Sequence, residues 1–278
     1  MTRSFPIART AVVLLLAAVF TVGLLAVQAP LIAVEMATPP VQAPELDTEH
    51  ALLASVLARV VHDDDVDYAT LRDDHAELDR YRVQLATATE PSERAEQLAF
   101  YINAYNALTL ALVIDRLPED PADWPNWSIR DAGTLFSPVW KRFSFQVAGR
   151  WRTLDAIEHE ILRPLNEPRI HFAINCASVS CPPLITEPYR AATLETQLER
   201  VATDFARSDY QVRLEQGQLR LNPILDWFSE DFEPVGGVRA FLLERVPAGP
   251  VAEALANARL RFFEYDWSLN LHRPEASE

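Results

Sequence analysis

The chain has only two cysteines, and both lie in one short segment that also carries a histidine and an asparagine. Cys176 and Cys181 follow His171 and Asn175 within residues 170–184. A thiolate attacks carbonyl carbon well once a neighbouring imidazole or helix N-terminus lowers its pKa, and an amide or backbone N–H groups can stabilise the oxyanion that forms. The segment therefore fits a cysteine nucleophile, Cys176, with His171 as a candidate base and Asn175 as a candidate ligand-binding residue.

A structural disulfide is the alternative for the same two residues. In an oxidising compartment Cys176 and Cys181 are expected to pair if geometry allows, and a loop with four intervening residues can close. The spacing differs from the Cys-x-x-Cys motif of thioredoxin-like redox sites. Well-spaced zinc ligands are also too few, so we predict neither a metal site nor a cofactor.

A second cluster centres on Glu158, in a segment that is expected to be helical from Leu154 to Arg163. Glu158 falls inside the apolar stripe, because it is four residues after Leu154 and three before Ile161. A buried carboxylate needs a partner, and the candidate donors are His171, Asn103 or a protonated neighbour.

The neighbouring residue, His159, lies on the flank of the same helix. It is four residues from both Asp155 and Arg163, which fits a surface ladder of charged side chains. Its alternative role is that of a second candidate base for Cys176.

A third cluster combines tyrosines and asparagines in the apolar segment from Ser92 to Leu117. Asn103 and Asn106 are three residues apart, and Tyr105 lies between them in sequence. The segment is apolar in all directions, so it is predicted to be a central, buried helix. Buried amides need partners: these either tie the helix to neighbouring backbone or bind a ligand.

The ordered set of these motifs resembles a known family. The segments that carry the resemblance are Phe100-Tyr101-Ile102-Asn103-Ala104-Tyr105-Asn106-Ala107, Ile157-Glu158-His159, Arg169-Ile170-His171-Phe172-Ala173, Asn175-Cys176-Ala177-Ser178 and Ser180-Cys181-Pro182. Together they resemble the family called domain of unknown function 547, over about residues 68–189. The resemblance implies a fold and a motif set but no reaction. Many members are exported bacterial proteins, and plant relatives carry the domain at the end of longer chains.

The elements that must position these residues are helices early in the chain and short strands later. Alternating apolar residues predict two hairpins, with turns at Ala148-Gly149 and Gln216-Gly217. An amphipathic helix is expected over 194–205 and a closing strand over 260–265. The fold class is therefore α+β, a helix-dominated single domain with a small antiparallel sheet.

The N-terminus predicts export. Arg3 and Arg9 precede an apolar run from Ala11 to Val34, which fits a signal peptide or a membrane anchor. Residues 1–45 are thus assigned to this segment plus a Pro-rich spacer, and residues 46–278 to one globular domain. The protein is expected in the periplasm or anchored at the membrane, with the N-terminal segment as its only membrane contact. A net charge of -15 disfavours nucleic acid as a partner.

Two functions remain open from the sequence. The first is a cysteine-dependent hydrolase or acyltransferase that acts on peptide or amide bonds at the cell envelope, with His171 or His159 as base. The second is a non-catalytic envelope module that binds an unknown ligand or protein and contains a Cys176–Cys181 disulfide. The order of residues disfavours a papain-like arrangement, because only His272 follows Cys176 and it lies in a tail expected to be loosely held.

Overall fold

Helices make up most of the part of the chain that the structure describes, which is residues 33–273 of a computed structural model. The α-helices are α1 (Ala51–Val60), α2 (Tyr68–Asp73), α3 (Ala76–Thr87), α4 (Arg94–Arg116), α5 (Val139–Arg142), α6 (Leu154–Ala156), α7 (Leu194–Arg207), α8 (Ile224–Trp227), α9 (Gly237–Leu243) and α10 (Pro250–Asn257). The strands are β1 (Val34–Glu35), β2 (Val61–His62), β3 (Asp65–Val66), β4 (Phe143–Val147), β5 (Arg150–Thr153), β6 (Val212–Glu215) and β7 (Gln218–Leu221). The predicted α+β class is confirmed.

The expected signal peptide or anchor lies outside the described residues except for its last two positions. All of the described residues, 33–273, belong to one compact unit. The segment predicted to be a spacer therefore lies along the domain: Arg82 donates to the carbonyl of Ala37 at 2.8 Å, and Gln84 donates to that of Glu45 at 3.0 Å.

Helix α4 forms the centre of the core. Every residue from Leu98 to Val113 is buried, as the uninterrupted apolar pattern predicts. Among the described helices α4 is the one long and apolar enough to cross a membrane, but 89% of its apolar window is buried inside the protein. The helix is thus the core element around which the others pack.

Both predicted hairpins are present, and their turns explain why. Ala148 and Gly149 have φ of 49° and 70°, and Gln216 and Gly217 have φ of 50° and 76°. Positive φ at both central residues gives a turn whose twist matches that of antiparallel strands. The first sheet also has a parallel edge, because β1 pairs with β4 in the register Val34 to Phe143.

The prediction of a closing strand over 260–265 is wrong. This segment makes a single parallel bridge, Leu221 to Phe262, and then leaves the sheet. The following residues bond instead to the loop that carries both cysteines, residues 173–189, which we call the cysteine loop. Ser180 N–H donates to the Asp266 carbonyl at 3.2 Å, and Val179 N–H donates to that of Ser268 at 2.9 Å. The segment covers the loop, which a regular strand in the sheet could not do.

The C-terminal tail up to His272 is also better held than the sequence predicts. His272 N–H donates to the Val66 carbonyl at 2.9 Å, and its ring stacks on His62 at 4.3 Å. Asn270 accepts a hydrogen bond from the buried Tyr68 hydroxyl at 2.8 Å. These contacts join the tail to the start of the domain and keep His272 away from Cys176.

The segment around Glu158 is helical but not a regular α-helix. Helix α6 continues as a π-helix from Ile157 to Leu162 and then as a 3-10 turn from Arg163 to Leu165. The wider π-turn changes which side chains face the core: Ile157, Glu158 and Leu162 are buried, whereas Ile161 is only half-buried. Such turns are frequent at functional sites.

Candidate active site

The cysteine loop is fixed to the core by amide side chains of α4. Asn106 donates to the Ala173 carbonyl at 2.9 Å and accepts from Asn175 N–H at 2.8 Å. Asn103 makes the same pair of bonds with the backbone of Tyr189, at 2.7 and 2.8 Å. Each amide uses its donor and its acceptor on one backbone segment, so the helix clamps the two ends of the loop.

The third asparagine works within the loop. Asn175 donates to the Pro182 carbonyl at 2.8 Å and accepts from Ala177 N–H at 2.8 Å. The second bond supports Ala177 in a left-handed conformation, with φ of 59°, which a residue with a Cβ rarely adopts. For Asn103, Asn106 and Asn175 the hydrogen bonds go to backbone groups, which is the first of the two roles that the sequence left open for buried amides.

Cys176 is surrounded by hydrogen-bonding groups. Its Sγ lies 3.0 Å from Cys181 Sγ, 3.2 Å from Ser178 Oγ and 3.2 Å from Tyr265 Oη. Both cysteines are free thiols, Cys181 buried and Cys176 partly exposed. Hydrogen bonding from Cys181, with help from Ser178 and Tyr265, outweighs burial and holds the pKa of Cys176 below that of an ordinary thiol.

The pKa of Cys181 shifts in the opposite direction. Burial, followed by its contact with Cys176, raises the pKa of its thiol well above the ordinary value. Of the two thiols, Cys176 therefore loses its proton first as the pH rises.

Cys176 opens into a pocket of about 190 Å³. Five aromatic side chains line it, namely Trp140, Trp227, Phe228, Tyr265 and Trp267. The polar groups that reach it besides the cysteines are Tyr105, Asp155, Glu158, His159 and His171. The sequence-predicted residues Cys176, His171, Glu158, His159 and Tyr105 thus meet around one cavity, as expected for a ligand site.

Glu158 has no hydrogen-bond partner among the described residues. Its side chain is 9% exposed, and only burial and neighbouring charges act on it, which together raise its pKa to about 8. The prediction that His171 or Asn103 would donate to Glu158 is wrong, because His171 bonds to Asp231 and Asn103 to Tyr189. Glu158 is therefore a largely protonated acid at neutral pH, close enough to Cys176 for the thiolate charge to affect it.

Asp231 is the site residue that sequence reasoning missed. It lies in a 3-10 turn, Ser229–Val235, and accepts from His171 Nε2 at 2.7 Å and from Arg163 at 2.7 and 2.8 Å. Burial alone would raise the pKa of Asp231, but these bonds overcome that effect and hold it well below the usual range. No sequence spacing links the residues, since Asp231 comes sixty residues after His171.

His171 is held in one orientation by this carboxylate and by an aromatic ring. It stacks on Phe228 at 4.0 Å, and burial lowers its pKa although Asp231 opposes that effect. The imidazole is thus neutral at neutral pH and donates from Nε2. Its Nδ1 is buried with no partner among the described residues, so the ring carries an unsatisfied acceptor next to the pocket.

His159 forms the predicted surface ladder and also lines the pocket. Its Nδ1 lies 3.0 Å from Arg163 and its Nε2 lies 3.7 Å from Asp155, so the surface ladder forms. The same ring lies at the pocket. Neither His159 nor His171 makes a hydrogen bond to Cys176 within residues 33–273.

Metal ligation has no geometric support in the described part of the chain. Residues 33–273 contain no group of three or more His, Cys, Asp and Glu side chains placed to hold an ion. The chemistry that this pocket offers is that of a thiolate, a carboxylic acid and a neutral imidazole.

Comparison with known proteins finds one family model that matches part of the chain. Residues 89–206 match the family model described as "Protein of unknown function, DUF547". The match supports the resemblance to DUF547, and it holds α4, the π-helical segment and the cysteine loop. Asp231, Trp227 and Tyr265 lie beyond the matched residues. No curated protein and no solved structure matches the chain.

Proposed function

We propose that this DUF547-like protein is a cysteine-dependent hydrolase or acyltransferase, with Cys176 as its nucleophile. The observation that carries the proposal is the position of the Cys176 thiol. Donors on one side favour its thiolate, and on the other side the sulfur opens into the pocket that holds Glu158 and His171. A stabilised thiolate in a partly enclosed pocket is the arrangement that covalent acyl transfer requires.

The chemistry can be written from these groups. The thiolate of Cys176 attacks a carbonyl carbon, and the tetrahedral intermediate collapses to a thioester as the leaving amine takes the proton of Glu158. Water or an acceptor amine then attacks the thioester carbonyl and gives its proton to the Glu158 carboxylate. The carbon–sulfur bond breaks and the thiolate is restored. A carboxyl group with a pKa of about 8 can serve in both directions near neutral pH.

His171 has a positioning role in this scheme, not that of the base that the sequence suggested. Cys176 needs no base to ionise, because its own hydrogen bonds lower its pKa. Asp231 and the stacked Phe228 fix the His171 ring in the pocket wall, where it shapes the space that a substrate occupies. His159, at the exposed edge of the pocket, lies where a leaving group would depart.

The pocket wall supports an apolar acyl group as substrate. Five aromatic side chains surround a small cavity, and Glu158 is mostly uncharged inside it. Aromatic walls bind apolar and aromatic groups by burial of surface. We assign the reaction to peptide or amide bonds at the cell envelope, because the apolar run of residues 11–34 predicts export across the inner membrane.

The first test is the reactivity of Cys176. Reduced native protein is treated with iodoacetamide across a pH series and followed by intact mass and peptide mapping. We expect Cys176 alone to be alkylated rapidly, with a rate that titrates below the ordinary thiol pKa of about 8.5. Buried Cys181 is the internal control and should react only after unfolding. Equal slow reaction at both residues would contradict the proposal.

The second test is turnover of a panel of acyl anilides and thioesters with apolar acyl groups. Cys176→Ala should abolish turnover without loss of the fold, while Cys181→Ala should be milder. Glu158→Gln should slow turnover and remove the alkaline limb of the pH profile near pH 8, because that limb reports loss of the Glu158 proton. Turnover that survives Cys176→Ala would rule out the nucleophile.

A non-catalytic envelope binding module is the second candidate function. The observation that favours it is the 3.0 Å approach of the two sulfurs, since a small movement and an oxidant would join them. In that case two alkyl groups would add to exported protein only after reduction. The pocket would then bind a ligand through Glu158, Tyr105 and His171 without a nucleophile.

A further inference from the structure

Two large apolar side chains protrude from a tight turn. Leu135 is 90% exposed and Phe136 is 79% exposed, far more than the other large apolar residues of the described chain. The flanking residues close the turn: Thr134 N–H donates to the Ser137 carbonyl at 2.9 Å, and Ser137 N–H donates to Thr134 Oγ1 at 3.0 Å. A closed turn that presents such side chains to solvent marks an interaction site.

The turn lies beside the mouth of the candidate active site. A groove next to the pocket is lined by Leu135 and Pro138 together with Trp140 and Trp267. The same two tryptophans also line the pocket that contains Cys176. Whatever covers the turn therefore lies at the entrance through which a substrate reaches the thiol.

The point at which the described chain begins indicates what covers the turn. Strand β1 runs parallel to β4, with Val34 opposite Phe143, so β1 begins at the edge at which β4 begins. Helix α5, which ends at Arg142, joins the turn to that same edge. The described chain therefore begins, at Ala33, on the side of the domain that carries the turn, and the sequence before it is the apolar run that predicts a membrane segment.

The charges around the turn fit a membrane surface. Between Ser128 and Arg142 the basic residues are Arg130, Lys141 and Arg142, and the one acidic residue is Asp131. Asp155 lies 3.6 Å from Lys141 and offsets part of its charge. In a chain of net charge -15 this segment is locally basic, and basic residues beside exposed apolar ones favour anionic lipid headgroups.

We propose that the Leu135–Phe136 turn inserts into the membrane from which the N-terminal segment emerges, as a second membrane contact of the protein. The contact holds the Trp140 and Trp267 entrance of the pocket at the lipid surface. The turn would then act beside the N-terminal segment, which is the membrane contact predicted from the sequence. The inference goes beyond the proposed chemistry and does not depend on it.

The test places a fluorescent probe on the turn of the full chain. Phe136→Cys is made together with Cys176→Ser and Cys181→Ser, labelled with an environment-sensitive dye, and reconstituted in vesicles of phosphatidylethanolamine and phosphatidylglycerol. Leu214→Cys in the same background is the matched control, because Leu214 is an exposed apolar residue on the β6–β7 hairpin. Leu135→Cys is a second reporter if the Phe136 variant is poorly folded.

We expect blue-shifted emission at position 136 and strong quenching by nitroxide-labelled lipid, with neither at position 214. Aqueous iodide should quench position 214 several-fold more than position 136. Equal iodide quenching at both positions in vesicles would overturn the proposal. A blue shift that grows with the protein-to-lipid ratio and resists nitroxide lipid would overturn it as well, and would assign the turn to contact with a second copy.

Discussion

Buried polar side chains lie on two sides of the cysteine loop, and the two sides differ in whether these side chains have hydrogen-bond partners. On the side of α4, Asn103 and Asn106 each use both donor and acceptor on loop backbone. On the side of the pocket, the Glu158 carboxyl and the Nδ1 atom of His171 have no partner among the described residues. Both sides contain buried polar side chains, but only those on the side of α4 have hydrogen-bond partners within the protein.

This difference distinguishes buried polar residues that stabilise the fold from those that serve a functional site. A satisfied amide stabilises the fold, because each of its hydrogen bonds replaces one to water. An unpartnered carboxyl or imidazole destabilises the fold, so its presence beside a reactive thiol is better explained by use. Four variants, in order of decreasing expected effect, test whether this contrast is real.

The largest effect is expected on the side of α4. Asn106→Ala should lower the free energy of unfolding by about 3 kcal/mol, since it leaves the Ala173 carbonyl and Asn175 N–H buried without partners. Urea unfolding measures the change. Asn257→Ala is the control, because that amide is exposed and bonds only within its helix, to the Glu253 carbonyl. Similar losses in both variants would remove the distinction between the two sides.

The next effect has the opposite sign. The folded protein raises the pKa of Glu158 from 4.5 to about 8, so the folded state holds a proton that the unfolded state releases between these values. Stability from this group falls as the pH rises through that window. Glu158→Gln, which cannot ionise, should therefore stabilise the protein by ~2 kcal/mol at pH 6 and very little at pH 4.

Thermal and urea unfolding at both pH values measure the stabilisation. Glu160→Gln is the matched control, since Glu160 lies exposed on the same π-helical segment. Destabilisation by Glu158→Gln at pH 6 would show that the carboxyl has a partner, and the pocket side would then resemble the side of α4.

A smaller effect is expected at the thiol pair. Cys181→Ala removes the group that contributes most to the low pKa of Cys176, so the pKa of Cys176 should rise. Alkylation at pH 7 should slow about tenfold, which corresponds to one pKa unit. Cys181→Ser keeps a donor and should recover much of the rate. A faster reaction in Cys181→Ala than in the wild type would mean that Cys181 shields Cys176.

The smallest effect concerns His171. The Asp231 carboxylate raises the pKa of the imidazole against the stronger effect of burial, so Asp231→Asn should lower that pKa further. Titration of the His171 ring by NMR measures the change, with the exposed His75 as an internal reference. An unchanged His171 pKa would show that the Asp231 contact in the structure does not persist in solution.

Sequence patterns that extend over a few residues determined the core helix, the hairpin turns and the burial of Glu158. The apolar run from Leu98 to Val113 predicted the core helix, because a helix apolar on every face must be buried. Ala148-Gly149 and Gln216-Gly217 predicted hairpin turns, since residues with positive φ favour that geometry. The position of Glu158 in an apolar stripe predicted its burial. The motif order also indicated the DUF547 family.

Only the tertiary structure decided which of these residues act together. It joined His171 to Asp231 and Cys176 to Tyr265, sixty and eighty-nine residues apart, and it left Glu158 without the partner that the sequence suggested. It also limited residues 260–265 to a single bridge and placed the residues that follow them against the cysteine loop. The physical reason is range: periodicity and turn propensity act between chain neighbours, whereas the partner of a buried polar group is set by packing between distant segments.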